Sequence, residues 1–146
     1  MVKKWVVYSI DEILGSIQRR KKEMQVVKFR VWDMKRKEMV YINDLYFFEE
    51  EGIHEIIDGI AKGHHTAYKI MQYTSMKDKK GKRVYEGDII SYRDRVYESD
   101  EREVICFIDG GFGTKDWWLR DIGEYEVVGN VYENPELIEE SEMEDE

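Results

Sequence analysis

Apolar and polar positions alternate with a period of two along most of this chain, and glycines or runs of turn-forming polar residues break the alternation at short intervals. Such a pattern predicts short antiparallel strands joined by tight turns. The clearest stretch runs from Met71 to Ile90. Within it, Asp78 through Gly81 suits a type I turn with Gly81 in the left-handed conformation. Glu86-Gly87-Asp88 suits a second tight turn that launches Ile89-Ile90 into a strand. These glycines serve backbone geometry, not chemistry.

The longest run of helical spacing lies at the start of the chain. Ser9 followed three residues later by Glu12 forms a capping box, and Ile10, Ile13, Leu14, Ile17 and Met24 then predict one amphipathic helix from Ile10 to Met24. Gly15 weakens it by about 1 kcal/mol relative to alanine. Arg19, Arg20, Lys21 and Lys22 occupy its last turns, where the helix dipole favours cations.

Val26 to Trp32 reads as a strand, Asp33 to Glu38 as a polar turn and Met39 to Phe48 as a second strand-forming run, together a hairpin. After Gly52, the residues Ile53, Ile56, Ile57 and Ile60 fit either a short helix or a strand turning at Asp58-Gly59; irregular structure with a helical turn is the favoured reading. Ala61 to His65 reads as a loop. Further strands are expected at Tyr68 to Tyr73, Arg83 to Tyr85, Asp88 to Arg93, Glu103 to Ile108, Trp117 to Leu119 and Tyr125 to Tyr132. Asp109-Gly110-Gly111 and Gly113 bracket Phe112 as a flexible turn. Pro135, preceded by Asn134, should open a short helix through about Glu140. The acidic tail from Glu139 to Glu146 is expected to be disordered.

Three strings in this order carry a resemblance: Lys28-Phe29-Arg30-Val31-Trp32-Asp33, the Met71 to Ile90 stretch, and Val128-Gly129-Asn130-Val131-Tyr132-Glu133-Asn134-Pro135-Glu136-Leu137. Together the chain resembles the YopX family encoded by bacteriophages and prophages, over roughly Lys28 to Ile138. Ser75 stands where the resemblance leads one to expect a glycine after Gln-Tyr-Thr. It implies a mostly β fold and a phage or prophage origin. It brings no catalytic residues, because the family has no known function. Gly87-Asp88-Ile89-Ile90 is also similar to the opening of SH3-like small barrels.

The expected architecture is therefore mainly β with minor α: a basic helical extension at 1–27, a hairpin and connecting segment at 28–66, an SH3-like, partly open barrel with a short helix at 67–138, and the tail at 139–146.

Composition narrows the picture. At 146 residues, with ten Tyr, five Phe and four Trp, the chain can bury a core and is not a disordered polymer. The one cysteine, Cys106, lies in the apolar run Val104-Ile105-Cys106-Phe107-Ile108 and reads as a small buried hydrophobe that fits a reducing compartment. No apolar stretch approaches the roughly 20 residues that cross a bilayer, and no signal-peptide core is present, so a cytoplasmic location is expected, away from membranes. The net charge of −9 is unevenly spread. Residues 1–40 hold eleven Lys/Arg and five Asp/Glu, a balance of +6, while residues 41–146 hold twelve and twenty-seven, a balance of −15. An acidic body disfavours duplex DNA, whose binding rests on phosphate neutralisation. The basic arm reads as a solvated helix face, or as an arm that contacts nucleic acid or the acidic body of a neighbouring copy.

Candidate chemistry is sparse. His54, His64 and His65 lack metal-ligand spacing, and adjacent histidines on a strand point apart. The turn Lys79-Lys80-Gly81-Lys82-Arg83 could present amides and cations to an anion, although it lacks a phosphate-loop pattern and fits a solvated hairpin tip better. Glu86 and Asp88 flank Gly87, and Asp33, Asp109 and Asp116 lie near turns, but general acid–base work needs geometry that a sequence does not display. Trp117-Trp118 is more informative, since one ring can anchor the core while its neighbour stays at the surface, with Tyr92, Tyr97 and Phe112 nearby in pattern.

The candidate interaction surface thus comprises Trp117, Trp118, Phe112, Lys79, Lys80, Lys82 and Arg83, with no catalytic, metal or cofactor residue. The expected function is a non-enzymatic phage accessory protein that binds a protein partner or itself. The alternatives are a single-stranded nucleic-acid binder, an acidic DNA mimic, and a small hydrolase built on Glu86, Asp88 and the histidines.

Overall fold

A computed structural model of the chain describes residues 9–15, 27–64 and 66–138. A first helical segment, α1, covers 10–15 and is closed by the expected capping box: the Glu12 amide donates to Ser9 Oγ at 3.1 Å and the Ser9 amide to Glu12 Oε2 at 3.3 Å. The rest of the expected helix, His65 and the acidic tail lie outside the described residues.

Strands follow as antiparallel ladders. β1 (Phe29–Asp33) pairs with β2 (Glu38–Ile42) and with the long β5 (Ala67–Lys77), while β3 (Glu55–Ile57) and β4 (Ile60–Lys62) form a hairpin added to the other side of β5. β6 (Arg83–Tyr85) pairs with the far end of β5. β7 (Asp88–Asp94) lies between β8 (Ser99–Val104) and β11 (Tyr125–Asn130), and β9 (Cys106–Ile108) pairs with β10 (Gly111–Gly113) as a separate hairpin. Short helices sit at α2 (Tyr46–Glu50), α3 (Leu119–Ile122) and a 3₁₀ turn at Pro135–Leu137. The mainly β expectation holds, but the sheets do not close into a barrel. Closure needs an unbroken ring of ladders, and the three-stranded sheet keeps β11 and β8 as its edges.

Side-chain oxygens that catch backbone amides two and three residues ahead explain where many strands end. Asp33 Oδ1 accepts the Lys35 and Arg36 amides, both at 3.0 Å; Asp94 Oδ1 accepts those of Val96 at 2.8 Å and Tyr97 at 3.1 Å; Asn130 Oδ1 accepts those of Tyr132 and Glu133. Three expectations fail, the first two for this kind of reason. The Met39 to Phe48 run stays extended only to Ile42, because Asp44 Oδ1 takes the Tyr46 amide and starts α2. Trp117 to Leu119 is no strand, since Thr114 Oγ1 accepts the Asp116 and Trp117 amides and turns the chain into α3. The isoleucine run after Gly52 is the strand alternative, not a helical turn: Asp58 and Gly59, with φ of 52° and 75°, make the tight hairpin turn between β3 and β4. Ala61 is therefore a fully buried strand residue, not part of a loop.

Two smaller corrections concern the hairpin that follows β8. Ile105 leaves the ladder of β7 to bond Asp88 and Gly87, which splits the expected Glu103 to Ile108 strand in two. Ile105 takes the buried position, and Cys106 is only half-buried. Phe112 lies in strand β10, with Asp109 and Gly110 alone making the turn.

Two apolar clusters result. One joins Val31, Ala61 and Tyr68 with Val40, Ile42, Phe47, Ile53 and Ile70 packed around them. The other joins Val84, Ile90, Tyr92, Ile105, Leu119, Tyr125 and Val127. Each fully buried aliphatic side chain contributes roughly 1.5–3 kcal/mol. β5 serves both halves by bending at a bulge. Thr74 Oγ1 donates to the Val84 carbonyl at 2.8 Å, and Ser75 adopts φ of 66°, the left-handed conformation that suits the glycine expected there.

Candidate functional site

The three signature strings meet at one place between the two clusters. Arg30 from β1 is buried, and its Nη2 donates to Asp88 Oδ1 at 2.8 Å and to the Glu86 carbonyl at 3.0 Å while the guanidinium lies 4.8 Å from the centre of the Tyr85 ring. Asp88 Oδ2 accepts the Tyr85 amide at 2.8 Å. Burial holds the Asp88 carboxyl above the usual carboxylate range, with the Arg30 guanidinium and the Tyr85 amide pulling the other way. Trp32, two residues on from Arg30, stacks on Tyr132 of the last string at 5.5 Å. Gly87, with φ of 82°, turns so that its carbonyl receives the Val131 amide at 2.9 Å. These motifs form a clasp in which Arg30 Nη2, both Asp88 oxygens and the Gly87 carbonyl are engaged in holding the halves together, while Arg30 Nε is buried without a partner.

The basic turn is likewise committed to structure. Asp78 Oδ1 accepts the Lys80 amide at 2.9 Å and the Lys82 amide at 2.8 Å, and its Oδ2 accepts the Val127 amide at 3.0 Å. Burial pushes the Asp78 carboxyl up, but the Val127, Lys82 and Lys80 amides outweigh it and hold the group below its usual range. Gly81 takes φ of 83°, as the expected turn requires. Lys80 Nζ lies 2.7 Å from Glu126 and Lys79 Nζ 4.0 Å from it, while Arg83 packs over the Tyr73 ring. The amides that would cradle an anion already have a carboxylate.

The aromatic residues are placed differently. Trp117 is half-buried against the second cluster, and its Nε1 donates to Asp94 Oδ2 at 3.2 Å. Trp118 is the exposed member of the pair, at 39%. It lies over the β10 backbone so closely that a Cβ on Gly111 would fall 2.8 Å from its ring. Phe112 packs edge-on against Phe107 at 5.2 Å, and Phe107 is 53% exposed. Ile108, at 48%, adds a further apolar side chain to the hairpin. A groove of about 340 Å³ runs between this hairpin and α3, lined by Met76, Phe112, Trp118, Leu119 and Arg120 among others. Phe107, Ile108 and Met76 escaped the sequence reading because an apolar strand run looks the same whether it is covered or not. Tyr92 is buried, and Tyr97 lies in the separate turn between β7 and β8.

The carboxylates and histidines singled out for hydrolysis are occupied otherwise. Glu86 Oε1 accepts the Gln72 amide at 3.0 Å, Asp88 belongs to the clasp, and the His54 and His64 rings lie 6.1 Å apart, with His54 Nδ1 3.4 Å from the Gly52 carbonyl. Among the described residues no group of three His, Cys, Asp or Glu side chains converges to hold a metal.

Open antiparallel sheets, clasped by three signature strings and carrying one apolar hairpin, define the class of protein. The YopX protein family matches residues 28–139, and the chain belongs to that family. Among solved structures the chain is similar to protein EF1440 from Enterococcus faecalis, at 29% identity and a TM-score of 0.54 over 77% of this chain and 98% of that one. It is also similar to protein yopX from Bacillus subtilis, at 25% identity and a TM-score of 0.46 over 75% and 96%. No curated protein matches the chain. No helix among the described residues is long and apolar enough to cross a membrane.

Proposed function

We propose that the chain is a non-enzymatic protein-interaction module, an accessory protein of phage or prophage origin acting in the bacterial cytoplasm, and that its docking face is the β9–β10 hairpin with Trp118. One observation carries this reading: Phe107 and Ile108, on opposite faces of the two-stranded β9–β10 hairpin, and Trp118 beside it are all exposed, and a groove lined by Phe112, Trp118, Met76 and Leu119 with Asp109 and Arg120 borders the hairpin. Exposed aromatic anchors at the edge of a groove are what a protein partner covers. The family resemblance supports the origin, and the reduced-compartment composition supports the location.

The occupant is the amphipathic helix of a second copy. α1 presents Ile10, Ile13 and Leu14 to solvent as a stripe, and the sequence continues with Arg19, Arg20, Lys21 and Lys22. That cationic arm suits the acidic body, +6 against −15. Light scattering of the full chain and of Leu14→Glu, at low and high salt, tests this. The expected result is a concentration-dependent mass above the monomer that falls with salt and is lost in the variant. Monomeric masses throughout would reject self-association. Oligonucleotide binding that weakens with added salt would favour the nucleic-acid alternative instead.

A further inference from the structure

The dipeptide Asp-Gly occurs twice in the chain, at Asp58-Gly59 and Asp109-Gly110, and each pair makes the two-residue turn of a hairpin. The backbones match: φ is 52° and 75° in the β3–β4 turn and 52° and 80° in the β9–β10 turn, both positive as in a type I′ connection. Glycine suits this turn because it lacks a Cβ. The same lack gives the pair a chemical liability, since the unhindered glycine nitrogen can reach the carboxyl carbon of the aspartate before it. Both aspartates are exposed, so water reaches both.

The two turns differ in how firmly they are held. In β3–β4, Lys69 Nζ donates to the Asp58 carbonyl at 2.8 Å, and the Ile70 amide donates to the Gly59 carbonyl at 2.7 Å. β5 thus fixes the peptide units on both sides of Gly59. In β9–β10, no donor among the described residues reaches the Asp109 or Gly110 carbonyl, and a Cβ on Gly110 would meet nothing within 4 Å. That hairpin is also a sheet of two strands by itself, whereas β3 and β4 belong to the six-stranded sheet.

We propose that Asp109 is a site of spontaneous isomerisation to isoaspartate, and that Asp58, in the same dipeptide and the same kind of turn, is protected from it by β5. The Gly110 nitrogen attacks Asp109 Cγ, and the new C–N bond closes a succinimide ring. A carboxylate oxygen leaves as water, taking the amide proton and one proton from solvent. Water then adds to either ring carbonyl. Opening at Cγ restores aspartate; opening at the main-chain carbonyl carbon leaves the chain running through Cβ and Cγ, with the former main-chain carbonyl as a free carboxylate. Hydrolysis returns the water and the proton, so the step is a rearrangement that needs no co-reactant. Ring closure requires the turn to rotate out of its resting conformation, which the Lys69 and Ile70 bonds resist at Asp58. The product carries an extra methylene in the turn that sets Phe107 opposite Phe112 and Ile108 opposite Gly111, so pairing loosens where the docking face lies. The effect on docking rests on the proposed function; the isomerisation does not.

Ageing the full chain at neutral pH below its unfolding temperature, followed by peptide mapping with electron-transfer fragmentation to tell isoaspartate from aspartate, tests it. Isoaspartate should accumulate several-fold faster at position 109 than at position 58. In Lys69→Met, which removes the donor to the Asp58 carbonyl, the rate at position 58 should rise while that at 109 stays unchanged. In concentrated urea, where no variant has to fold, the two wild-type sites should age at similar rates. Absence of isoaspartate at 109 in the folded protein, equal rates at the two sites there, or the same difference persisting in urea overturns the proposal. If isoaspartate forms at 109 as expected and the aged protein associates as tightly as the fresh one, the modification site stands and the docking role of the hairpin fails.

Discussion

The basic turn at Asp78 to Arg83 and the hairpin β9–β10 are both tips of two-stranded ribbons, and both present side chains that bind things in other proteins. They differ in what is left over. In the turn, one carboxylate, Asp78, takes three backbone amides, and Glu126 faces two of the lysines. At the hairpin, Phe107, Ile108 and Trp118 have apolar surface that nothing in the described chain covers. The lesson is that charge in a sequence says little about availability, because polar groups find partners locally, whereas apolar surface remains until something large enough covers it.

The clasp sets the upper end of the stability scale. Arg30→Met leaves Asp88 buried without its partner and should cost about 3–5 kcal/mol in chemical denaturation; a loss under about 1 kcal/mol would mean that the halves do not depend on it. Next comes Asp78→Ala, which orphans the Lys80, Lys82 and Val127 amides and should cost about 3 kcal/mol. If the turn were instead a free anion site, that substitution would be nearly neutral. Gly111→Val should cost about 1–3 kcal/mol, because its side chain displaces the Trp118 ring, and differential scanning calorimetry would register the change.

Acid and base separate the two regions by sign. Asp78 has a lowered value in the fold, so its contribution is complete above the ordinary Asp value of about 3.9 and fades as pH falls below it. Glu103 behind the hairpin loop has a raised value, so its contribution is complete below the ordinary Glu value of about 4.3 and fades as pH rises through the raised one. Urea midpoints should show the stability difference between Asp78→Asn and wild type shrinking in acid, and that between Glu103→Gln and wild type growing toward neutral pH. The smallest expected effect on stability belongs to Trp118→Ser, under about 1 kcal/mol for an exposed ring, alongside the largest effect on association.

Much of the frame was legible from local pattern. The Ser9 capping box, the Asp78 to Gly81 turn and β6 at Arg83 to Tyr85 all stand where the spacing placed them, since each depends on residues within a few positions. Misreadings gathered where one side-chain oxygen diverts an apolar run, as Asp44 and Thr114 do. The clasp could be named in pieces but not assembled, because Arg30 and Asp88 are 58 positions apart and nothing local couples them. Of the candidate surface, Trp118 and Phe112 lie at the groove, Trp117 turned inward, and the four basic residues went to the turn. Exposure of Phe107 and Ile108 is a tertiary fact that alternation does not encode.

Sedimentation equilibrium on three full-length proteins tests most directly whether association belongs to the hairpin and not to the turn: wild type, Lys80→Ala/Lys82→Ala, and Phe107→Ser/Trp118→Ser. The dissociation constant should be nearly unchanged in the lysine pair and at least about tenfold weaker in the aromatic pair, a loss of about 1.4 kcal/mol or more. The reverse ranking, or three equal constants, would contradict the account.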